Sequence, residues 1–288
     1  MGYRIKTVAD MIGVPRNTLL AWERRYQVVE PARLANGYRE YSEEDIARLR
    51  ELKRLIDAGH RVGEAISLMQ ASRSASQNVD DQRTADLVEE LLGALLRLDR
   101  RAADDTLRHA GTMPFARMID EIFFPLQRHV GELWEEDALD AAQEHVVSHF
   151  VRERLQGMLM ALDYGPVSGK LTLCASFPEE QHDIALLGLS VKLAMRNHRI
   201  IYVGQRTPID GLISMMEKHR PQLVCVSVTL PRARTEVVAV AQALSAAASG
   251  SMVVAIGGTG LPGDGLPPLP RILWATRSSM LLNPDAPR

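Results

Sequence analysis

Between Lys170 and Trp274, short apolar runs alternate with longer stretches of helical period, and that alternation leaves few folds open. Leu171–Ala175, Arg199–Val203, Leu223–Val228 and Met252–Ile256 are apolar almost throughout, with a last such run near Arg271–Trp274. A strand apolar at nearly every position is buried on both faces, and strands joined through helices run parallel. Leu186–Met195, the stretch from Pro208, and Thr235–Ala248 read as those helices. Residues 166–288 are therefore expected to form an α/β domain with a doubly wound parallel sheet, which binds ligands beyond the carboxyl ends of its strands. At the first such end stands Phe177-Pro178-Glu179-Glu180-Gln181-His182-Asp183-Ile184-Ala185. It places His182, with Glu180 two residues before it, where a strand hands over to a helix. A neutral imidazole there can reach a ligand, and a carboxylate accepting its other N–H would fix the tautomer and raise its basicity.

The rest of the chain is helical in pattern. From Thr84 to Tyr164 apolar residues recur at helical spacing, through Leu87, Val88, Leu91, Leu92 and Leu95, then Met118, Ile119, Ile122 and Phe123, then Val146 to Leu162. Gly111–Pro114, Pro125 and Asp137 punctuate this stretch, and a four-helix bundle over residues 84–165 is expected. Residues 71–83, rich in Ser, Asn and Asp with little to bury, read as a flexible linker. Residues 1–70 begin with a short helix, Thr7–Ile12, ended by Gly13, and a second, Pro15–Tyr26, with proline in its first turn. Two short helices joined by a glycine turn make a helix-turn-helix. Arg16, Asn17 and Thr18 open the second helix, where a recognition helix meets base edges, while Leu19 and Trp22 share its inward face. Asn36-Gly37 reads as a two-residue hairpin turn, with Arg33 and Arg39 flanking it as a basic wing. Ser42-Glu43-Glu44-Asp45 then caps an amphipathic helix with a stripe of Ile46, Leu49, Leu52, Leu55 and Ile56.

Charge adds little. The chain carries a net −2, and residues 1–70 hold 12 Lys and Arg against 10 Asp and Glu, a modest excess for a surface meeting phosphates. Cys174 and Cys225 lie in apolar strand-like runs and read as reduced core residues of a cytoplasmic protein. No leader and no apolar run of about 18 residues is seen, so neither export nor membrane spanning is indicated. The final ~14 residues look poorly ordered.

Residues 1–70 resemble the MerR-type winged helix-turn-helix, most closely that of the CarA/CarH/LitR-like regulators. The resemblance is carried by Tyr3-Arg4-Ile5, by Thr18 to Tyr26 with Glu23, Arg24 and Arg25, by Gly37-Tyr38-Arg39-x-Tyr41-Ser42, and by a helix to Met69. It implies double-stranded DNA as partner and Arg16, Asn17, Thr18, Arg24, Arg25, Tyr38 and Arg39 as DNA-facing. The C-terminal domain resembles cobalamin-binding domains. After Ala185 come 41 residues to Ser227-Val228-Thr229, and after Thr229 come 27 to Gly257-Gly258, matching that family's Asp-x-His-x-x-Gly, Ser-x-Leu/Thr, Gly-Gly signature. Gly204-Gln205-Arg206-Thr207-Pro208 matches a further Gly-x-x-Thr-Pro. By this resemblance the fold is flavodoxin-like, His182 is the lower ligand to cobalt, and Glu180 is its partner. Ser227 and Thr229 would contact the nucleotide tail, and Gly257 and Gly258 would supply close-approach backbone. Glu180 stands for the usual Asp and Ala185 for the motif glycine. Trp134, followed after nine residues by Glu144-His145, matches the upper-face motif of the same regulators, and implies adenosylcobalamin. In light-sensing members a histidine follows that tryptophan; here it is Glu135.

The chain is thus expected to be a cytoplasmic repressor controlled by cobalamin, assembling as a dimer or tetramer on DNA, with no membrane association. The alternative is the same architecture acting without cobalamin or with another ligand. An enzyme of the corrinoid methyl-carrier kind is not expected, because of the winged domain and the lack of a Cys/His zinc cluster. A helix break is expected at Glu135-Glu136-Asp137, with Asp137 capping the next helix, because a single helix would hold residues 134 and 144 about 15 Å apart.

Overall fold

The computed structural model describes residues 2–34, 37–162, 169–275 and 278–282. The boundary expected at 165/166 lies outside them. Two compact units are present, residues 1–83 and 84–288.

In the first unit, α1 (Ile5–Ile12) ends at Gly13, whose N–H returns to Ala9 O. α2 (Arg16–Tyr26) follows with Pro15 at its N-cap. β1 (Ala32–Arg33) and β2 (Arg39–Glu40) pair antiparallel, Arg33 opposite Arg39. Across the wing Leu34 N–H bonds Tyr38 O, and Gly37 takes the left-handed φ of +78°; the two-residue turn expected at Asn36-Gly37 falls in part on Asn36, which with Ala35 lies outside the described residues. α3 (Glu43–Asp57) carries the capping box of Ser42 and Asp45. The helix expected to reach Met69 breaks at Ala58 and Gly59, and α4 (Val62–Leu96) begins anew. Val8, Leu19, Trp22, Tyr41, Ile46, Leu49 and Leu52 fill the core.

α4 is helical across residues 71–83. The polar composition there describes surface, since Ala71 to Ser74 and Val79 to Arg83 are exposed, but the stretch contains no glycine or proline to stop a helix.

In the second unit, residues of α4 from Thr84, α5 (Arg100–His109), α6 (Phe115–Met118), α7 (Phe124–Glu135) and α8 (Ala141–Leu162) form the helical layer. Leu91, Ile119, Ile122, Phe123, Leu126, Val151 and Leu155 are its buried centre. Pro125 does not interrupt it. A π-helical segment, Ile119–Phe123, joins α6 to α7, and Phe124 N–H reaches Ile119 O, five residues back. Proline lacks an N–H and crowds the carbonyl four residues before it; the widened turn accommodates both defects.

The sheet comprises β3 (Lys170–Ser176), β4 (His198–Gly204), β5 (Leu223–Ser227), β6 (Val253–Gly257) and β7 (Ile272–Ala275), all parallel in the order β4-β3-β5-β6-β7. This is the flavodoxin order, with its switch point between the first and third strands of the domain, β3 and β5. α10 (Ile209–His219) and α11 (Arg234–Ala247) cover one face through Leu212, Met216, Val237 and Ala241. α9 (Ile184–Ala194) covers the other, where Leu186 and Leu193 meet Cys174 and Cys225. Its opposite side, Leu187 and Val191, joins the helical core. α9 is apolar at every position but Ser190 and Lys192 because it lies between two layers. α12 (Ser279–Leu282) adds Leu281 and Leu282 to the same face. Part of the tail expected to lack order thus packs, because two leucines reach an apolar face; residues 276–277 and 283–288 are outside the description. Both cysteines are free and buried, and no described helix is long and apolar enough to cross a membrane.

Candidate functional site

The loops after β3 and β5 diverge at the switch point, and Glu180 ties them together. Its carboxylate is fully buried. Oε1 accepts from His182 N–H at 3.0 Å and from His182 Nδ1 at 2.6 Å. Oε2 accepts from the Thr229 and Leu230 N–H groups at 3.1 and 2.8 Å. Burial alone would push this carboxyl up; the N–H donors of Leu230, His182 and Thr229 and the His182 ring outweigh it and hold it below the ordinary carboxylate range. An anionic carboxylate at Nδ1 makes that nitrogen the donor. Nε2, the other nitrogen of a ring 57% exposed, has no partner among the described residues and in the neutral ring would carry the free lone pair. Glu179 adopts φ +60° and Arg206 φ +49°, and Arg206 N–H bonds Glu180 O, so strained backbone from two loops holds the carboxylate in place.

Next to this loop the side chains at the end of the sheet are small. Ser176, Ser227, Gly257 and Ala275 lie in one register across β3, β5, β6 and β7. One period further in stand Cys174, Cys225 and Ala255. Small residues thus line the end of the sheet on the α9 face. Ser176 Oγ is buried and has no partner among the described residues. Thr229 is half-buried, its hydroxyl 3.5 Å from His182 O. A methyl group on Gly257 would meet Ala275 O at 2.5 Å, and one on Gly258, at φ +132°, Val228 O at 2.0 Å. The close approach at these glycines is therefore to the chain's own backbone. Ala185 is exposed in the first turn of α9, where its methyl needs no room from the core.

Trp134 stands in the last turn of α7 with 54% of its surface exposed. The break after it is a Schellman turn, Asp137 N–H to Trp134 O and Ala138 N–H to Leu133 O, with Asp137 at φ +57°. Asp137 closes α7 and does not cap α8. That cap is Asp140, which accepts from Gln143 N–H at 2.8 Å while Gln143 Oε1 accepts from Asp140 N–H. Asp137 takes the left-handed conformation that Asp tolerates, leaving the next Asp to start the helix. Glu144, in the first turn of α8, stands 2.5 Å from Ser148 Oγ and 2.7 Å from His145 Nδ1; the His145 ring is 80% exposed. Sequence reasoning missed Ser148, Ser176, Arg152 and Asp183. Of these, only Ser148 and Arg152 left a trace, lying four and eight residues after Glu144.

In the first unit Arg16, Asn17, Arg24 and Arg25 are exposed on α2 and Thr18 is half-buried. Tyr38 is exposed at the wing, with the Arg4 guanidinium 5.1 Å from its ring centre. Arg39, half-buried beside it, also has a contact within the unit. Its Nε bonds both oxygens of Glu23 at 2.7 and 2.9 Å, and Tyr41 OH donates to the same carboxylate. The hydrogen bond to Glu23 raises the Arg39 pKa. The wing is thereby clamped to α2. Arg39→Ala is expected to loosen the clamp by about 1.5 kcal/mol, checked as faster amide exchange at Leu34 and Tyr41 in the intact chain.

Comparison with known proteins places these features. Residues 3–72 match the MerR HTH family regulatory protein model, and residues 87–156 match the B12 binding domain model. The chain is 36% identical over 241 residues to the HTH-type transcriptional repressor CarH of Myxococcus xanthus, covering 80% of each chain. It is 33% identical over 264 residues to the repressor CarA of the same organism, covering 90% of this chain and 88% of that one. The chain belongs to the CarH/CarA family of transcriptional regulators. The monomethylamine corrinoid protein of Methanosarcina barkeri shares its fold, with a TM-score of 0.53 at 14% identity over 62% of this chain and 87% of that one. This CarH/CarA-family member is a DNA-binding regulator, not an enzyme, and is controlled by cobalamin. Its own residues suit that group: a half-exposed imidazole, an unpartnered buried hydroxyl and a line of small side chains lie at one sheet edge.

Proposed function

We propose that His182 Nε2 is the lower axial ligand of a bound cobalamin. Ser227 and Thr229, beside the backbone at Gly257 and Gly258, would line the way for its nucleotide tail. The observation that carries this is the Glu180 carboxylate, which fixes the His182 tautomer and joins the two loops of the switch point. When bound, the cobalamin supplies a cobalt centre with an exchangeable, light-labile upper substituent. The chain's residues would hold it: Glu180 keeps the Nδ1 proton of His182, His182 would offer Nε2 to cobalt, and Trp134, Glu144 and His145 would meet the upper substituent.

The upper substituent this reading favours is 5′-deoxyadenosyl. Trp134 offers a flat apolar face, and Glu144 can accept from ribose hydroxyls or an exocyclic amine. Trp134→Ala is expected to reduce discrimination between adenosyl- and hydroxocobalamin while corrin binding through His182 persists. Equal loss for both forms would make Trp134 no cap at all. Glu135, following Trp134, offers a carboxylate in place of an imidazole, so capture of cobalt by a neighbouring histidine is not part of the proposal. Absorbance spectra taken in the dark and after illumination test whether light alters the bound state.

The cytoplasmic chain would act as a repressor, with an oligomer presenting several winged domains to one operator; such linkage multiplies affinity without new contacts. Arg16 and Asn17 would read bases. Replacing either with Ala is expected to cost about 1–3 kcal/mol at one operator position, checked by binding to a panel of singly substituted operators. Unchanged preference in both variants would place the reading surface elsewhere.

A further inference from the structure

Asp183 lies between His182 and the first residue of α9, at the N-cap position. Aspartate there ordinarily accepts from the first free N–H groups of its helix. Asp183 makes no such bond. Its buried carboxylate turns away instead: Oδ1 takes Arg152 Nε at 2.9 Å and Oδ2 takes the Tyr202 hydroxyl at 2.9 Å. Arg152 belongs to α8 and Tyr202 to β4, so the residue next to His182 is anchored from the helical layer and from the sheet at once. Arg152 also shares a face of α8 with Ser148 and Glu144, at successive four-residue steps. The Glu144 end of that face is about 12 Å along the axis at 1.5 Å per residue. A buried ion pair is weak ground for stability, and this one forgoes a helix cap.

We propose that Asp183 is a positioning residue that ties the stance of His182 to α8. What occupies the Glu144 end of α8 is then felt at Nε2 through Arg152 and Asp183, and by linkage the reverse holds. The inference rests on the reading of His182 as lower ligand.

Cobinamide, a corrinoid without the nucleotide tail, can take a nitrogen below cobalt only from the protein. The test titrates the full chain with aquo- and adenosylcobinamide and reads the nitrogen-ligated fraction from the absorbance. Arg152→Gln and Asp183→Asn are expected to lower the ligation equilibrium about tenfold and to shrink the wild-type difference between the two cobinamides. Tyr202→Phe should act in the same direction but less, and Arg152→Lys should restore part of the loss. Circular dichroism verifies that each variant is folded; should Asp183→Asn fail to fold, Tyr202→Phe and Arg152→Lys carry the test. Nitrogen ligation in the wild type that is unchanged in Arg152→Gln and Tyr202→Phe would overturn the positioning role and leave His182 as ligand. No nitrogen ligation in the wild type would overturn both.

Discussion

His182→Ala is expected to weaken binding of a tail-less corrinoid by about a hundredfold or more and to abolish nitrogen ligation below its cobalt. Partners one shell out from a metal are typically worth about 10–100-fold, and the ligand itself more. The variant should fold as the wild type does, because the ring is more than half exposed and buries little surface. With cobalamin itself the loss is expected to be smaller, since the cofactor's own base can return to the vacated position. That contrast between corrinoids separates a lost ligand from a disturbed pocket, and titration of both with the two proteins measures it.

Glu180→Ala is expected to act on stability as well as on binding. It strips four hydrogen bonds from a fully buried acceptor and leaves the Thr229 and Leu230 N–H groups without their partner. A hydrogen bond to a charged group is worth about 1.5–3 kcal/mol, so a loss of about 3 kcal/mol in the unfolding of the second unit is expected by denaturant titration. The folded-state pKa of Glu180 lies below its ordinary value. Its contribution is therefore fully present above the ordinary carboxylate pKa and disappears as pH falls through the depressed one. Glu180→Gln, which retains an acceptor but cannot ionise, should flatten that acid limb while costing less at neutral pH than Glu180→Ala.

The sheet was legible because parallel strands buried on both faces write themselves as continuous apolar runs, and each strand was located to within a few residues. The Glu180–His182 pair was legible for the same reason, since the end of an apolar run marks the end of a strand. What escaped had no sequence-local signal. Asp183 looks like an ordinary helix cap beside His182; only the packing of α8 shows that Arg152 draws it away. Ser176 looks like the polar end of a strand until its hydroxyl is found buried and unpartnered. Arg39 carries a charge suited to phosphate, and the sequence cannot show that Glu23 lies within reach of it. Asp137 and Asp140 are equally good caps by composition, and the left-handed turn at Asp137 decides between them. Residues 71–83 show the limit of composition, which reports burial and not conformation.

The most direct test of the account is the electron paramagnetic resonance spectrum of the protein loaded with reduced, cobalt(II) cobalamin, once with natural-abundance histidine and once with histidine enriched in nitrogen-15. Coordination by His182 Nε2 predicts that each hyperfine line is split into a triplet by nitrogen-14, becomes a doublet on enrichment, and loses the histidine-dependent pattern in His182→Ala. A triplet unmoved by the label would mean that the cofactor's own base, and not His182, holds the lower face of cobalt.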